Sequence, residues 1–280
     1  MDLTKYSLST KQIATARAVL DYQPFIITDS LQTGVAYSWL YGDQGGRTSH
    51  GRDFVCDRNT VTEEEWTRFC AANNSLRCMY EDWLDVIAQT YPGGTLLDAA
   101  CNNGYFLVGA LKRGMRAATG YDRADYTGSV RFLNDILGVN AVFRHDAYDS
   151  WKHTIKGSKP HDVAVASLIL CHISDPLYFL AFLGRMAREA IFLFTGMGVE
   201  PGYRIYYSKP NRFYKSDSFP VCFDNDVGLS KTLLFESLEL MGFKKITVLP
   251  YKDSWLPRSW FDNGNQQAIL AIIEDQHRTG

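Results

Sequence analysis

The chain predicts an α/β fold: a doubly wound, mostly parallel sheet with a C-terminal antiparallel hairpin, an N-terminal helical and irregular extension, and an insertion after the fifth strand. Two observations predict it. Five short apolar runs from Thr95 onward, TLLDAA, ATGYD, AVFRHDA, VAVASLIL and AIFLFT, each end near a polar residue. Helix-length segments separate several of them, the pattern of buried parallel strands joined by crossover helices. Two later runs, KKITVLPY and QQAILAIIE, flank an aromatic loop with Trp255, Trp260 and Phe261 and read as the hairpin that closes the sheet.

Each element has a local reason. Ser9-x-x-Gln12 has the form of a capping box, which predicts a first helix over about Thr10 to Asp21. A short extended segment follows at Phe25–Thr28. Asp29 to Asp57 is rich in Gly, Ser and Asp and reads as loop and irregular strand. Thr62-x-x-Glu65 is a second capping box, opening a helix through Cys70; Asn73-Asn74-Ser75 predicts a break, and Leu76 to Thr90 a further helix. Pro92-Gly93-Gly94 precedes the first strand of the sheet. Gly196 to Leu229 shows no period and reads as a lid or binding segment rather than a connector. Ser230 caps the helix KTLLFESLELMG, which Gly242 stops. The expected division is an extension over 1–75, contributing to a substrate cleft, and a core domain over 76–280 with its insertion at 196–229.

Charge and composition narrow the function. The chain holds 29 Lys+Arg against 31 Asp+Glu, a formal charge of -2, which disfavours nucleic acid and anionic lipid as partners. No apolar stretch reaches the roughly 18–20 residues of a membrane span, and the N-terminus lacks an apolar signal core, so a cytoplasmic location is expected. Cys56, Cys70, Cys78, Cys101, Cys171 and Cys222 form no C-x-x-C pair, so reduced thiols are expected and no metal. Aromatic residues at Tyr37–Tyr41 and Trp255–Phe261, read as exposed, either form a homodimer contact or roof the active site.

The segment that carries chemistry is Leu96-Leu97-Asp98-Ala99-Ala100-Cys101-Asn102-Asn103-Gly104-Tyr105-Phe106, a strand running through a polar turn into a helix. Ligands of open parallel sheets bind at the carboxyl ends of strands, where this turn falls. A dinucleotide site wants G-x-G-x-x-G so that pyrophosphate can approach the backbone. Here Ala100 and Asn102 occupy the first two glycine positions and only Gly104 remains, which suits a cofactor without phosphates, such as S-adenosyl-L-methionine. Asp122, 24 positions after Asp98 and at the end of the next strand, is placed to accept from both ribose hydroxyls, and Asp146, after the third strand, from the adenine amino group.

With these residues the chain resembles the class I (Rossmann-like) S-adenosylmethionine-dependent methyltransferases, whose motif runs approximately D-x-G-C-G-x-G. The resemblance also rests on Gly120-Tyr121-Asp122, on His145-Asp146-Ala147 and on Ser167-Leu168-Ile169-Leu170-Cys171-His172-Ile173-Ser174-Asp175-Pro176-Leu177. The last is similar to the fourth-strand motif of the branch containing tRNA-uridine carboxymethyltransferases and ubiquinone-type O-methyltransferases. It spans about Leu76 to Glu274. It implies that the cofactor meets Asp98, Ala100, Cys101, Asn102, Gly104, Tyr105, Asp122, Arg123, Asp146, Ala147, Ser167 and Leu168. The methionine carboxylate would go to Arg77, which otherwise reads as a surface residue.

His172 has two readings, a general base that deprotonates the acceptor or a packing residue supporting its loop. His145 reads as structural. In the insertion, Tyr203, Arg204, Tyr207 and Arg212 are the candidate acceptor-binding residues, with Lys209 and Lys215 beside them; the other reading of these cations is a solvated face. The expected activity is methylation of a small metabolite or saccharide-like acceptor, most simply on oxygen. The rival readings are tRNA modification, which the charge balance disfavours, and a protein that binds the cofactor without catalysis.

Overall fold

The computed structural model describes residues 1–35, 54–146, 159–173, 175–198, 200–207, 212–214, 222–224, 227–263 and 266–273. In chain order, helix α1 (Thr10–Val19) is followed by strands β1 (Ile26–Thr28), β2 (Leu31–Thr33) and β3 (Val55–Asp57), then by helix α2 (Glu63–Thr90). Strand β4 (Thr95–Ala99), α3 (Tyr105–Lys112), β5 (Ala117–Asp122), α4 (Thr127–Leu137) and β6 (Val142–His145) come next. Then follow β7 (His161–Ser167), α5 (Pro176–Met186), β8 (Ala187–Gly198), β9 (Ile205–Tyr207), β10 (Arg212–Tyr214), β11 (Cys222–Asp224) and β12 (Val227–Ser230). Helix α6 (Lys231–Leu240), β13 (Lys245–Val248), α7 (Arg258–Asn263) and β14 (Gln266–Ile272) are the last of the described elements. No helix among the described residues is long and apolar enough to cross a membrane.

Two compact units divide these elements. The first comprises Met1–Gly93, Cys101–His145 and Tyr251–Trp260; the second comprises Gly94–Ala100, Asp146–Pro250 and Phe261–Gly280. In the second, the strand order is β13-β14-β8-β7-β4. Strands β4, β7 and β8 are parallel neighbours, with Asp98 beside Val165 and Ser167 beside Phe194. Strand β14 runs antiparallel to β8, and β13 antiparallel to β14, which is the expected hairpin. Val163, Ala164, Val165, Ile191, Phe192, Leu193 and Phe194 have no exposed surface, so both faces of these strands are covered and their apolar runs are continuous. In the first unit, β5 and β6 pair in parallel with Asp122 beside His145, while β1, β2 and β3 form a small antiparallel sheet.

Local expectations largely hold at the helix starts. Ser9 and Gln12 close a reciprocal capping box on α1, as Thr62 and Glu65 do on α2, and Ser230 accepts from the backbone of Leu233 on α6. The helix break expected at Asn73-Asn74-Ser75 is absent, because α2 runs unbroken from Glu63 to Thr90. A poor helix former costs at most about 0.7 kcal/mol per residue, and buried Trp66, Phe69, Leu76, Met79, Trp83 and Leu84 outweigh that. Asn73 is itself buried and donates to Gln32 on β2 at 3.1 Å.

Two further expectations are corrected. The insertion carries strands: β12 pairs in parallel with the end of β8 and antiparallel with β9, and β10 pairs antiparallel with β11. Elements of three or four residues are too short to show a period in sequence. Trp255 and Phe261, read as exposed, are buried at 4% and 8% exposure. Trp255 packs edge-on against Trp83 and donates its indole N–H to Asp82 at 2.6 Å, while Phe261 meets Phe194. Tyr37, Trp39 and Tyr41 lie outside the described residues.

Candidate functional site

The polar turn after β4 has an unusual backbone. Ala100, Asn102 and Gly104 all take left-handed conformations, with φ of 66°, 51° and 86°. These are the alternate positions of the motif, so Ala100 and Asn102 keep the geometry that glycine would adopt freely. Asn tolerates it, whereas for Ala it costs about 1–2 kcal/mol. A non-glycine residue is held this way only when its surroundings determine it, and such residues cluster at functional sites.

In the first unit the surroundings can be named. Cys101 donates its backbone N–H to the Tyr121 carbonyl on β5 at 3.0 Å, and Asn102 donates its own to Asp122 Oδ2, also at 3.0 Å. Gly120 on β5 has no space for a side chain: a Cβ there would lie 2.6 Å from Cys101 Sγ and 2.8 Å from Leu107 Cδ1. A Cβ at Gly104, the N-cap of α3, would lie 2.9 Å from Val130 on α4. The turn is thus pressed onto β5 and α4 from beneath.

The Asp122 carboxylate accepts backbone N–H groups from Asn102 and from Ala124, the latter at 2.9 Å. Burial raises its pKa above the ordinary carboxylate value, and these two donors, with the charge and backbone N–H of Arg123, only partly offset that. The carboxylate has lone pairs left for further donors, as a ribose-binding acid requires. Arg123 follows it; its carbonyl meets His145 Nε2 at 3.1 Å, which ties β6 to the loop after β5. Asp146 is the residue after β6, and Ala147 lies outside the described residues.

The N-terminal segment makes contacts to the turn that have no local sequence signature. Gln23, 5% exposed, accepts from the backbone N–H of Tyr105 at 3.0 Å and reaches toward the Cys101 carbonyl at 3.4 Å. Asn103, fully buried, donates to the Val19 carbonyl at 3.2 Å and faces the Asp21 backbone N–H at 3.4 Å. Residues 19–23 therefore bind the turn and the start of α3. These contacts join residues about 80 positions apart, a separation that leaves no local sequence signal.

Tyr105 is buried, and its hydroxyl donates to Glu81 on α2. Burial and the Glu81 charge push its pKa well above the ordinary tyrosine value. Burial alone would raise the Glu81 carboxyl as well, but the Tyr105 hydroxyl and the Arg113 guanidinium, at 2.6 Å, hold it below its usual value. Arg77, four positions before Glu81, donates to Asn74 at 2.5 Å, and its Nε is buried with no hydrogen-bond partner. An unsatisfied guanidinium nitrogen is a ready donor to a carboxylate.

In the second unit, Asp98 is 2% exposed at the end of β4. Ser167 ends β7, and Leu168 takes a left-handed φ of 55° with its N–H donated to the Phe194 carbonyl at 2.7 Å. His172 ends a short 3-10 turn and is exposed. Asp175 caps α5 by accepting from Tyr178, with Pro176 in the first turn. Tyr203 donates to Glu236, and Arg204 pairs with Glu200. Tyr207 and Arg212 fall in β9 and β10, while Lys209 and Lys215 lie outside the described residues.

No protein-family model and no curated protein matches the chain. Solved structures do. The N-terminal domain of EvdMO1, crystallised with SAH bound, is 17% identical with a TM-score of 0.51, over 70% of this chain and 81% of that one. The fold is Rossmann-like. A 1,6-didemethyltoxoflavin-N1-methyltransferase from Burkholderia thailandensis, with bound 1,6-didemethyltoxoflavin and S-adenosylhomocysteine, is 16% identical with a TM-score of 0.48, over 90% of this chain and all of that one. The magnesium protoporphyrin IX methyltransferase of Synechocystis PCC 6803, with SAM bound, is 12% identical with a TM-score of 0.47, over 72% and 83% of the two chains.

Proposed function

We propose that the chain is an S-adenosylmethionine-dependent methyltransferase acting on a small-molecule acceptor, most simply on a hydroxyl oxygen. One observation carries the reading: the left-handed backbone at Ala100, Asn102 and Gly104, with Asn102 bonded to the part-buried carboxylate of Asp122. The turn keeps the shape of a cofactor loop although two of its glycines are replaced. The single remaining glycine and the acid on the next strand suit a nucleoside without phosphates.

When bound, the cofactor supplies an electrophilic methyl group on a sulfonium. Asp122 would accept from the ribose hydroxyls, with Arg123 beside it, and Asp146 and Ala147 would meet the adenine. Backbone groups of Asp98, Ala100, Cys101 and Asn102 would hold the amino-acid end, and the buried, unpartnered Nε of Arg77 suits its carboxylate. Gly104 and Tyr105 begin the helix beneath, and Ser167 and Leu168 close the end of β7. His172, exposed on its turn, would take the acceptor proton, a contribution of about 10²–10⁴-fold for a hydroxyl. Tyr203, Arg204, Tyr207 and Arg212 are the acceptor-side candidates. Tyr203 and Arg204 would exchange their present carboxylate partners for the acceptor. A tRNA acceptor is disfavoured by the net charge of -2.

The test is calorimetric titration with S-adenosylmethionine and S-adenosylhomocysteine, with reduced nicotinamide cofactors as controls. Micromolar binding of the adenosyl compounds alone, lost in Asp122→Ala, is expected. A folded protein that binds neither adenosyl compound refutes the reading.

A further inference from the structure

The buried Gln23 side chain spans the polar turn after β4 from end to end. Its amide oxygen accepts the Tyr105 N–H at 3.0 Å and its amide nitrogen donates to the Cys101 carbonyl at 3.4 Å, so residues 102–104 lie between the two contacts. Gln23 is itself fixed. Its carbonyl accepts the Thr33 hydroxyl of β2 at 2.8 Å and the Phe25 N–H at 3.0 Å, and Thr33 has no exposed surface. Asn103 adds a second tie by donating to the Val19 carbonyl at the end of α1. The N-terminal segment therefore forms a clasp on the turn.

The clasp bears on the backbone that it encloses. Tyr105 is the first residue of α3, and the N-cap of that helix, Gly104, has no side chain to satisfy a free N–H; Gln23 does so instead. Asn102 and Gly104, both left-handed, lie within its span. A strained backbone of this kind persists only where its surroundings determine it. A ligand that requires one shape of the turn loses apparent affinity in proportion to the molecules that no longer hold that shape. Resting on the proposed cofactor reading, we infer that Gln23 is a positioning residue, which keeps the turn in its cofactor-competent shape before any ligand arrives. This gives the N-terminal extension a task in cofactor binding.

The experiment measures dissociation constants of S-adenosylmethionine and S-adenosylhomocysteine for the wild-type protein, Gln23→Met, Gln23→Glu and Asn134→Ala. Hydrogen exchange at the Asn102 and Gly104 amides is followed in the ligand-free proteins. Methionine keeps the volume and loses both contacts, whereas glutamate keeps the acceptor for Tyr105, and a carboxylate suits a helix start. Asn134 is the control, an amide that clamps the Ala141 backbone ahead of β6 through two bonds of 2.9 Å. Expected for Gln23→Met is about tenfold weaker binding of both ligands alike, with faster exchange at both amides, because the competent fraction falls by that factor. Gln23→Glu should stay within about twofold of wild type, and Asn134→Ala should match wild type in both readouts. Unchanged affinity in Gln23→Met, equal weakening in Asn134→Ala, no rescue by Gln23→Glu, or a loss confined to one ligand overturns the inference. If the wild-type protein binds neither ligand, it is the cofactor reading that fails; unchanged exchange in Gln23→Met then overturns the hold of Gln23 on the turn as well. Should Gln23→Met not fold, Thr33→Val, which removes one bond to the Gln23 carbonyl, takes its place. About threefold weaker binding of both ligands is then expected, and unchanged binding overturns the inference.

Discussion

Replacing Ala100 by glycine should stabilise this protein, against the usual effect of adding glycine. Ala100 has φ of 66° and is only half-buried. The left-handed conformation costs an L-residue about 1–2 kcal/mol, which glycine does not incur. Glycine gives back about 0.5–1 kcal/mol through the larger entropy of the unfolded chain. The balance for Ala100→Gly is a gain of about 0.5–1 kcal/mol. Its neighbour provides the contrast. Ala99 lies in β4 with no exposed surface, so Ala99→Gly loses a buried methyl group and adds the same entropy, a loss of about 1–2 kcal/mol. Two identical substitutions at adjacent positions should therefore differ in sign, by about 2 kcal/mol. Urea denaturation of both variants and the wild-type protein, with equal m-values, measures this directly. If Ala100→Gly destabilises as much as Ala99→Gly, the turn is not strained and its left-handed backbone is no sign of a functional site.

Three further outcomes are expected. Gly120→Ala would drive a methyl group into Cys101 and Leu107, so it should cost about 1–3 kcal/mol in the same denaturation experiment and weaken S-adenosylmethionine binding by displacing the turn. Because Asp21 has a raised pKa in the folded state, its ionisation opposes folding. Asp21→Asn should be more stable than wild type at neutral pH, with the difference disappearing as pH falls through the ordinary carboxylate value of 3.8, as read from thermal midpoints across pH. His172→Ala should leave cofactor affinity intact and lower turnover by about 10²–10⁴-fold once an acceptor is in hand; unchanged turnover would remove His172 from catalysis.

What could be read from the sequence divides by range. Strands β4, β7 and β8 were legible because strands buried on both faces need no alternation, only a short apolar run with a polar end. The capping boxes at Ser9 and Thr62 were legible because both partners lie within four residues. Asn73 misled, since its helix-breaking tendency is local and weak while its burial against Gln32 is a tertiary fact. The role of Gln23 was invisible, because it depends on residues about 80 positions away. The left-handed backbone at Ala100 was equally hidden, as alanine carries no signal for it. The departure from the glycine pattern at Ala100 and Asn102 was plain in the sequence, but not that the backbone there retains the glycine shape.

The contact of Trp255 with Trp83 and Asp82 has a consequence for the order in which the protein is made. Helix α2 is synthesised early, yet the residue that covers Trp83 and takes the Asp82 carboxylate arrives 173 positions later. At about 5–20 residues per second, Trp83 waits on the order of ten to thirty seconds for that cover. The first unit, which carries the N-terminal clasp on the polar turn after β4, cannot be finished until nearly the whole of the second has left the ribosome. A nascent chain halted before Trp255 should hold the turn and its clasp while still presenting a large aromatic surface to chaperones.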